Sequence, residues 1–238
     1  YFKKEIKSLR KEPKNKLIDY LGWHKQNEDY YFVGLPLLSG RLYGEKKSLI
    51  RDIVKKYNLD LRLTPNQDIL LCNISNKHKL DIKKALSKIG YENLNEINEI
   101  QRHALACPAL PLCGLAMTEA ERILPSVLTR IDDLIKSLNI KKSILFRMTG
   151  CPNGCTRPYM AELALVGSGQ NKYQLWLGGS KNLQRLAKPY LQRMELDDLE
   201  KTLKPLLILW KESNAESDFG DFINTQDESS IMNLLNEI

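Results

Sequence analysis

No run of about 18 apolar residues occurs in this chain, so no membrane-spanning helix is expected. The first 16 residues are rich in lysine and have no apolar core, so they are not expected to act as a secretory signal. No motif with interleaved aromatic residues follows this basic opening, which argues against a nucleic-acid surface. Histidine is scarce. His24, His78 and His103 stand apart from one another, and surface or packing roles are expected of each. There is no internal repeat of fixed short period and no low-complexity tract, which leaves out solenoids and tails. The chain opens on Tyr1 and not Met, so it reads as a piece of a longer protein. A soluble cytoplasmic protein of one or two domains, with no membrane and no nucleic-acid partner, is the expectation.

Four cysteines in two close pairs are present, and they carry most of the information. Cys107 and Cys113 lie in Ala106-Cys107-Pro108-Ala109-Leu110-Pro111-Leu112-Cys113. Cys151 and Cys155 lie in Thr149-Gly150-Cys151-Pro152-Asn153-Gly154-Cys155. The spacing is C-x5-C, then 37 residues, then C-x3-C. Four thiolates suit a [4Fe–4S] cluster, and the neighbouring Pro and Gly suit a backbone bent around a compact group. A structural zinc site is a weaker alternative, because its paired cysteines usually sit roughly two to four residues apart. Two disulfides are another, but they suit small chains without a core. This chain has 238 residues, 42% of them hydrophobic, enough for a core. Cys72, in the apolar run Ile69 to Ile74, reads as a small buried hydrophobe.

The pattern divides the chain into 1–19, a basic linker or helix; 20–95, a compact unit; and 96–238, which holds the cysteines. In the compact unit, strands are expected over 30–38, 61–64 and 69–74, and helices over 45–56 and 77–89. This alternation suggests a ferredoxin-like sandwich. In the last unit, Thr118-Glu119-Ala120-Glu121 has the form of a capping box opening a helix with Leu124, Val127, Leu128, Ile131, Leu134, Ile135 and Leu138 on one stripe. Pro125 should kink that helix or mark its first turn. Strands are expected over 143–148, 160–167 and 173–177 and a helix over 196–212; 214–238 is polar and expected at the periphery.

The second cysteine loop, continued by Thr156-Arg157-Pro158, closely resembles the cluster loop of assimilatory sulfite reductases. So does the first, continued by Gly114-Leu115-Ala116-Met117-Thr118-Glu119-Ala120-Glu121-Arg122. Arg62-Leu63-Thr64-Pro65-Asn66-Gln67 and Phe219-Gly220-Asp221-Phe222 resemble further motifs of that family, so the likeness runs from about residue 20 to 225. Cys-Pro-Ala-Leu-Pro-Leu-Cys is more similar to the ferredoxin-dependent members than to those fed by a flavoprotein. Nitrite reductases, a sister family, share the spacing.

The resemblance implies an α+β chain, a ferredoxin-like half-domain followed by an α/β sirohaem/[4Fe–4S] domain of the sulfite/nitrite reductase type. It implies six-electron reduction of sulfite to sulfide, with ferredoxin as electron donor. Cys107, Cys113, Cys151 and Cys155 would hold the cluster, and Cys155 would bridge it to the sirohaem. Asn153, Gly154, Arg157, Arg62, Thr64, Asn66 and Gln67 would contact the sirohaem. The basic side chains that hold sulfite are expected outside this chain, which by itself is expected to turn over little. A ferredoxin–nitrite reductase and a haem-free [4Fe–4S] electron-transfer module are the alternatives. The net charge is +7, of which residues 1–16 supply +5. An acidic donor would be drawn to positive charge, and the run Lys181, Arg185, Lys188, Arg193 is the expected docking face, since the arm lies far from the cysteines in sequence.

Overall fold

The computed structural model describes residues 19–94, 96–213 and 216–236. The basic segment 1–16, expected as a helix or linker, lies outside the described residues.

The chain first builds β1 (Gly22–Lys25), β2 (Tyr30–Leu35), α1 (Gly44–Tyr57), β3 (Asp60–Leu63), β4 (Ile69–Ser75) and α2 (Asn76–Ser87). The strands form an antiparallel sheet in the order β1-β2-β4-β3. Alternation along β2 and β4 sends Val33, Leu35, Ile69 and Leu71 into one core, where Ile50 and Ile53 of α1 and Ile82 and Leu86 of α2 meet them. Cys72 is buried but takes no part in that core. The turn from β3 to β4 is closed by the Thr64 hydroxyl, which accepts N–H bonds from Asn66 at 3.2 Å and Asp68 at 3.1 Å.

The second half comprises α3 (Glu99–Arg102), β5 (Leu105–Ala106), α4 (Leu124–Ser137), β6 (Phe146–Thr149), β7 (Leu163–Gly169), β8 (Lys172–Leu177), β9 (Lys188–Glu195), α5 (Leu199–Glu212), α6 (Phe219–Thr225) and α7 (Glu228–Asn236). Its sheet runs in the order β5-β6-β7-β8-β9, parallel from β5 to β7 and antiparallel from β7 to β9. One face is covered by α4 and α5, so that Leu128, Ile131, Leu203, Leu206 and Trp210 meet Phe146, Met148, Leu163, Leu165 and Leu175. Each large apolar side chain buried there contributes about 1.5–3 kcal/mol. Two sheets, one antiparallel and one mixed, with helices, make an α+β chain.

Two expectations need correction. The Thr118–Glu121 box caps nothing: α4 begins at Leu124, with Pro125 in its first turn, where the missing N–H costs no bond. Thr118 is instead buried, its hydroxyl 3.1 Å from the Tyr173 hydroxyl, which donates to the Glu119 carbonyl. The tail is not peripheral, because Phe219, Phe222, Ile223, Ile231 and Leu235 complete the core of the mixed sheet.

Candidate functional site

β5 and β6 are parallel neighbours, with Ala106 paired to Met148. Parallel strands send their following loops out at one end, and here both loops carry cysteines. Gly150 joins them. Its N–H donates to Cys107 Sγ at 3.3 Å, and its carbonyl accepts from the N–H groups of Met117 at 2.8 Å and Thr118 at 3.3 Å. A Cβ on residue 150 would stand 2.6 Å from Ala109 Cβ and 2.7 Å from the Thr118 carbonyl, so only glycine lets the loops approach this closely. Gly154 turns the second loop at φ +66°, and a Cβ there would meet the Tyr159 ring. Thr149 and Thr156 donate to the carbonyls of Cys151 and Met148, both at 2.9 Å, which pins the loop to the end of β6.

All five cysteines are free thiols. Cys107 and Cys151 are buried, Cys113 is half-buried and Cys155 is exposed. Burial pushes the Cys107 thiol up; the N–H groups of Gly150 and Ala109 pull it down, and the charges of Cys155 and Cys151 raise it further. Among the described residues no three of His, Cys, Asp and Glu converge tightly enough to hold a single metal ion. The donor set fits a cluster: four thiols on two interlaced loops, one of them already taking backbone N–H bonds of the kind that tune cluster sulfurs. Around Cys113 the surface is apolar, with Leu112 68% and Leu115 71% exposed.

The first sheet reaches this place through its β3–β4 turn. Gln67 Nε2 donates to the carbonyl of Ala106, next to Cys107, at 3.0 Å. Arg157 Nη2, two residues beyond Cys155, donates to the carbonyl of Pro65 at 2.8 Å. The turn Thr64–Asp68 is thus laid onto both cysteine loops, bringing Thr64, Asn66, Gln67 and Arg157 together. Asn153 is exposed on the second loop and Gly154 half-buried beside it. Arg62 is placed differently: it is exposed on the edge strand β3, 4.0 Å from Asp60.

Two residues that the sequence did not single out belong to this neighbourhood. Arg147, in β6, is fully buried on the sheet face opposite the helix-covered core, and Nη1 donates to the Arg157 carbonyl at 3.1 Å. His103, read as a packing residue, has a buried Nδ1 without a partner, and its pKa is lowered by burial above all, with a contribution from Arg147. A single arginine inside an apolar strand was the available signal for the first; nothing in the sequence marked the second.

The expected docking run is largely neutralised. Lys181 pairs with Asp218 at 3.3 Å, Arg185 with Asp221 at 2.6 Å and Lys188 with Glu228 at 2.9 Å. These pairs tie the β8–β9 connection and the start of β9 to α6 and α7.

Residues 24–89 match the model of the nitrite/sulfite reductase ferredoxin-like half domain. The chain is 46% identical over 227 residues to the sulfite reductase [ferredoxin] of Synechococcus elongatus, covering 93% of this chain and 36% of that protein. It is 36% identical over 211 residues to the sulfite reductase [NADPH] hemoprotein beta-component of Staphylococcus epidermidis, covering 86% of this chain and 37% of that protein. The solved structure of the NirA protein of Mycobacterium tuberculosis superposes with a TM-score of 0.75 at 19% identity, over 90% of this chain and 41% of that one. In its half-domain, its two-sheet α+β fold and its cysteine loops the chain is similar to the sulfite and nitrite reductases. It spans about a third of the length of the curated relatives it matches.

Proposed function

We propose that this chain is the cluster-bearing part of a ferredoxin-dependent sulfite reductase, an oxidoreductase that reduces sulfite to sulfide. The observation that carries this reading is the pair of interlaced cysteine loops at one end of β5 and β6, supported by the 46% identity to a ferredoxin-dependent relative. Cys107, Cys113, Cys151 and Cys155 would hold a [4Fe–4S] cluster, and Cys155, the exposed one, is suited to share its thiolate with a sirohaem. When bound, that coupled pair of groups supplies the electrons and the open coordination position that sulfite reduction requires.

The chain's own part is to bind and orient. Gly150 and Ala109 hold the Cys107 sulfur through their N–H groups, favouring the thiolate over the thiol. Arg157, Asn153 and Gly154 beside Cys155, with Thr64, Asn66 and Gln67 from the turn, are the proposed sirohaem contacts. Arg62 would reach it only by leaving Asp60. Sulfite's charge would be met by basic residues outside these 238 residues. We take 20–95 and 96–238 as the two folding units, after a basic segment 1–19. Free thiols suit a reducing compartment such as the cytoplasm, and no described helix is long and apolar enough to cross a membrane.

Steady-state rates with reduced ferredoxin test the substrate. The expected result is a larger kcat/KM for sulfite than for nitrite. A much larger value for nitrite would overturn the choice and favour the sister activity.

A further inference from the structure

Three arginines in this protein hold carboxylates in the same way. Arg41 on Glu121, Arg122 on Glu119 and Arg130 on Glu200 each present Nε and Nη2 to the two oxygens of one carboxylate. That edge of the guanidinium matches a carboxylate in shape as well as charge. Arg147 has the same edge, Nε and Nη2, buried and without a partner among the described residues. Among the described residues its side chain makes one hydrogen bond, from Nη1 to the Arg157 carbonyl. An unpaired charge inside a protein is costly, and natural chains keep one only where something else compensates it. Burial foremost, and then the neighbouring Arg157, lower the Arg147 pKa to about 10, so it remains a cation at neutral pH.

The surroundings are incomplete in the same direction. Gln67 Oε1 and His103 Nδ1 are also buried and unpartnered. Gln67 is bonded to the carbonyl of Ala106, beside Leu105, the strand partner of Arg147, and His103 stands two residues before Leu105. All of these groups lie along one seam, where the β3–β4 turn meets the strands that deliver the cysteines. The outermost group is Arg157, whose hydrogen bond to Pro65 is exposed and can be exchanged for another acceptor.

We propose that Arg147, with Arg157 as its movable cover, is a receptor for one carboxylate of an acidic tetrapyrrole. The proposal rests on the function proposed above. The bond from Arg157 to Pro65 gives way, and the incoming carboxylate takes the free Nε–Nη2 edge of Arg147. The cost of keeping that charge unpaired is then relieved only when the prosthetic group is in place.

The test uses uroporphyrin, an octacarboxylate, and its octamethyl ester as probes of the purified protein. Trp176 packs with Ala164, the other strand partner of Arg147, so quenching of tryptophan fluorescence reports binding. Uroporphyrin should bind more tightly than the ester. Arg147→Met should weaken uroporphyrin about 10- to 100-fold, the range for a lost charged hydrogen-bonding pair, and leave the ester unchanged. Its urea midpoint should equal or exceed that of the wild type, because an unpaired buried charge has gone. Arg147→Lys, which keeps the charge without the fork, should also lose affinity. The proposal is overturned if the wild type does not bind uroporphyrin, or if both variants bind it as the wild type does. It is equally overturned if Arg147→Met loses affinity together with a lowered midpoint, the mark of a merely structural role, or if millimolar sulfite displaces the porphyrin, which would assign the edge to a free oxyanion. Wild-type protein that carries cluster and sirohaem while the variants bind as it does refutes this inference alone; wild-type protein that carries neither refutes the proposed function.

Discussion

Cysteines 107 and 151 are sealed inside the loops, whereas Cys155 faces outward. A buried thiolate can serve only the cluster it encloses, and an exposed one can serve a second group as well. The four positions are therefore expected to differ in their response to mutation. Cys107→Ser, Cys113→Ser and Cys151→Ser should lose iron and acid-labile sulfide, whereas Cys155→Ser should chiefly lose the spectroscopic coupling between sirohaem and cluster. Cys72→Ala, on the other sheet, should keep both groups and cost on the order of 1 kcal/mol in packing. Loss of the cluster from the Cys72 variant with retention in the Cys107 variant would show the assignment to be wrong. The cysteines were legible in sequence because their spacing and their flanking Pro and Gly are local. Arg147 was not, because a lone charge in Ile144 to Thr149 is outvoted by its apolar neighbours, and its lack of a partner is a fact of three dimensions.

At the scale of elements, one buried carboxylate ties three segments together. Glu162 precedes β7, is 0% exposed, and accepts N–H bonds from Leu145 before β6 at 2.8 Å and from Gly220 in α6 at 2.9 Å. Burial raises its pKa to about 7, against the pull of those two amides and of Lys181. The folded protein thus holds a proton there that the unfolded chain, near the ordinary value of about 4.3, releases earlier. The stability this contributes is full below the unfolded value and is lost as pH rises through about 7. Glu162→Gln should flatten the fall in stability across that window relative to the wild type, leaving the part due to Asp68, whose pKa burial also raises to about 7. It should also cost about 1–3 kcal/mol at pH 5, since an amide nitrogen then faces a backbone N–H. Denaturant midpoints between pH 4 and 8 measure this, and equal slopes for the two proteins would refute the titration. The segment that Glu162 holds is also where sequence reading failed. The stretch 214–238 is polar on average, yet Phe219, Phe222, Ile223, Ile231 and Leu235 are spaced to bury one side of two short helices. The capping box failed for a related reason: tertiary contact with Tyr173 took the Thr118 hydroxyl that a helix start would have used.

For the whole molecule, the important event is the meeting of two sheets. Each has its own core, and they touch where the Thr64–Asp68 turn lies on both cysteine loops, braced by Arg41 on Glu121 and Arg102 on Asp19. The half-domain's alternation of strands and helices was legible, as its periodicity is strong; strands β1 and β9 were not, because short or charged edge strands carry little pattern. The charge pairs to α6 and α7 were not legible either, because a basic run in sequence does not show which carboxylates it meets in space. The central claim is that the two loops exist to hold a cluster coupled to sirohaem. Anaerobic purification followed by assay of iron, acid-labile sulfide and the sirohaem absorption bands tests it most directly. About five irons and four acid-labile sulfides per chain, four of each from a [4Fe–4S] cluster and the fifth iron from sirohaem, together with sirohaem bands that Cys155→Ser perturbs, are the predicted result. Zinc bound by the four cysteines, with neither iron nor sirohaem, would contradict it.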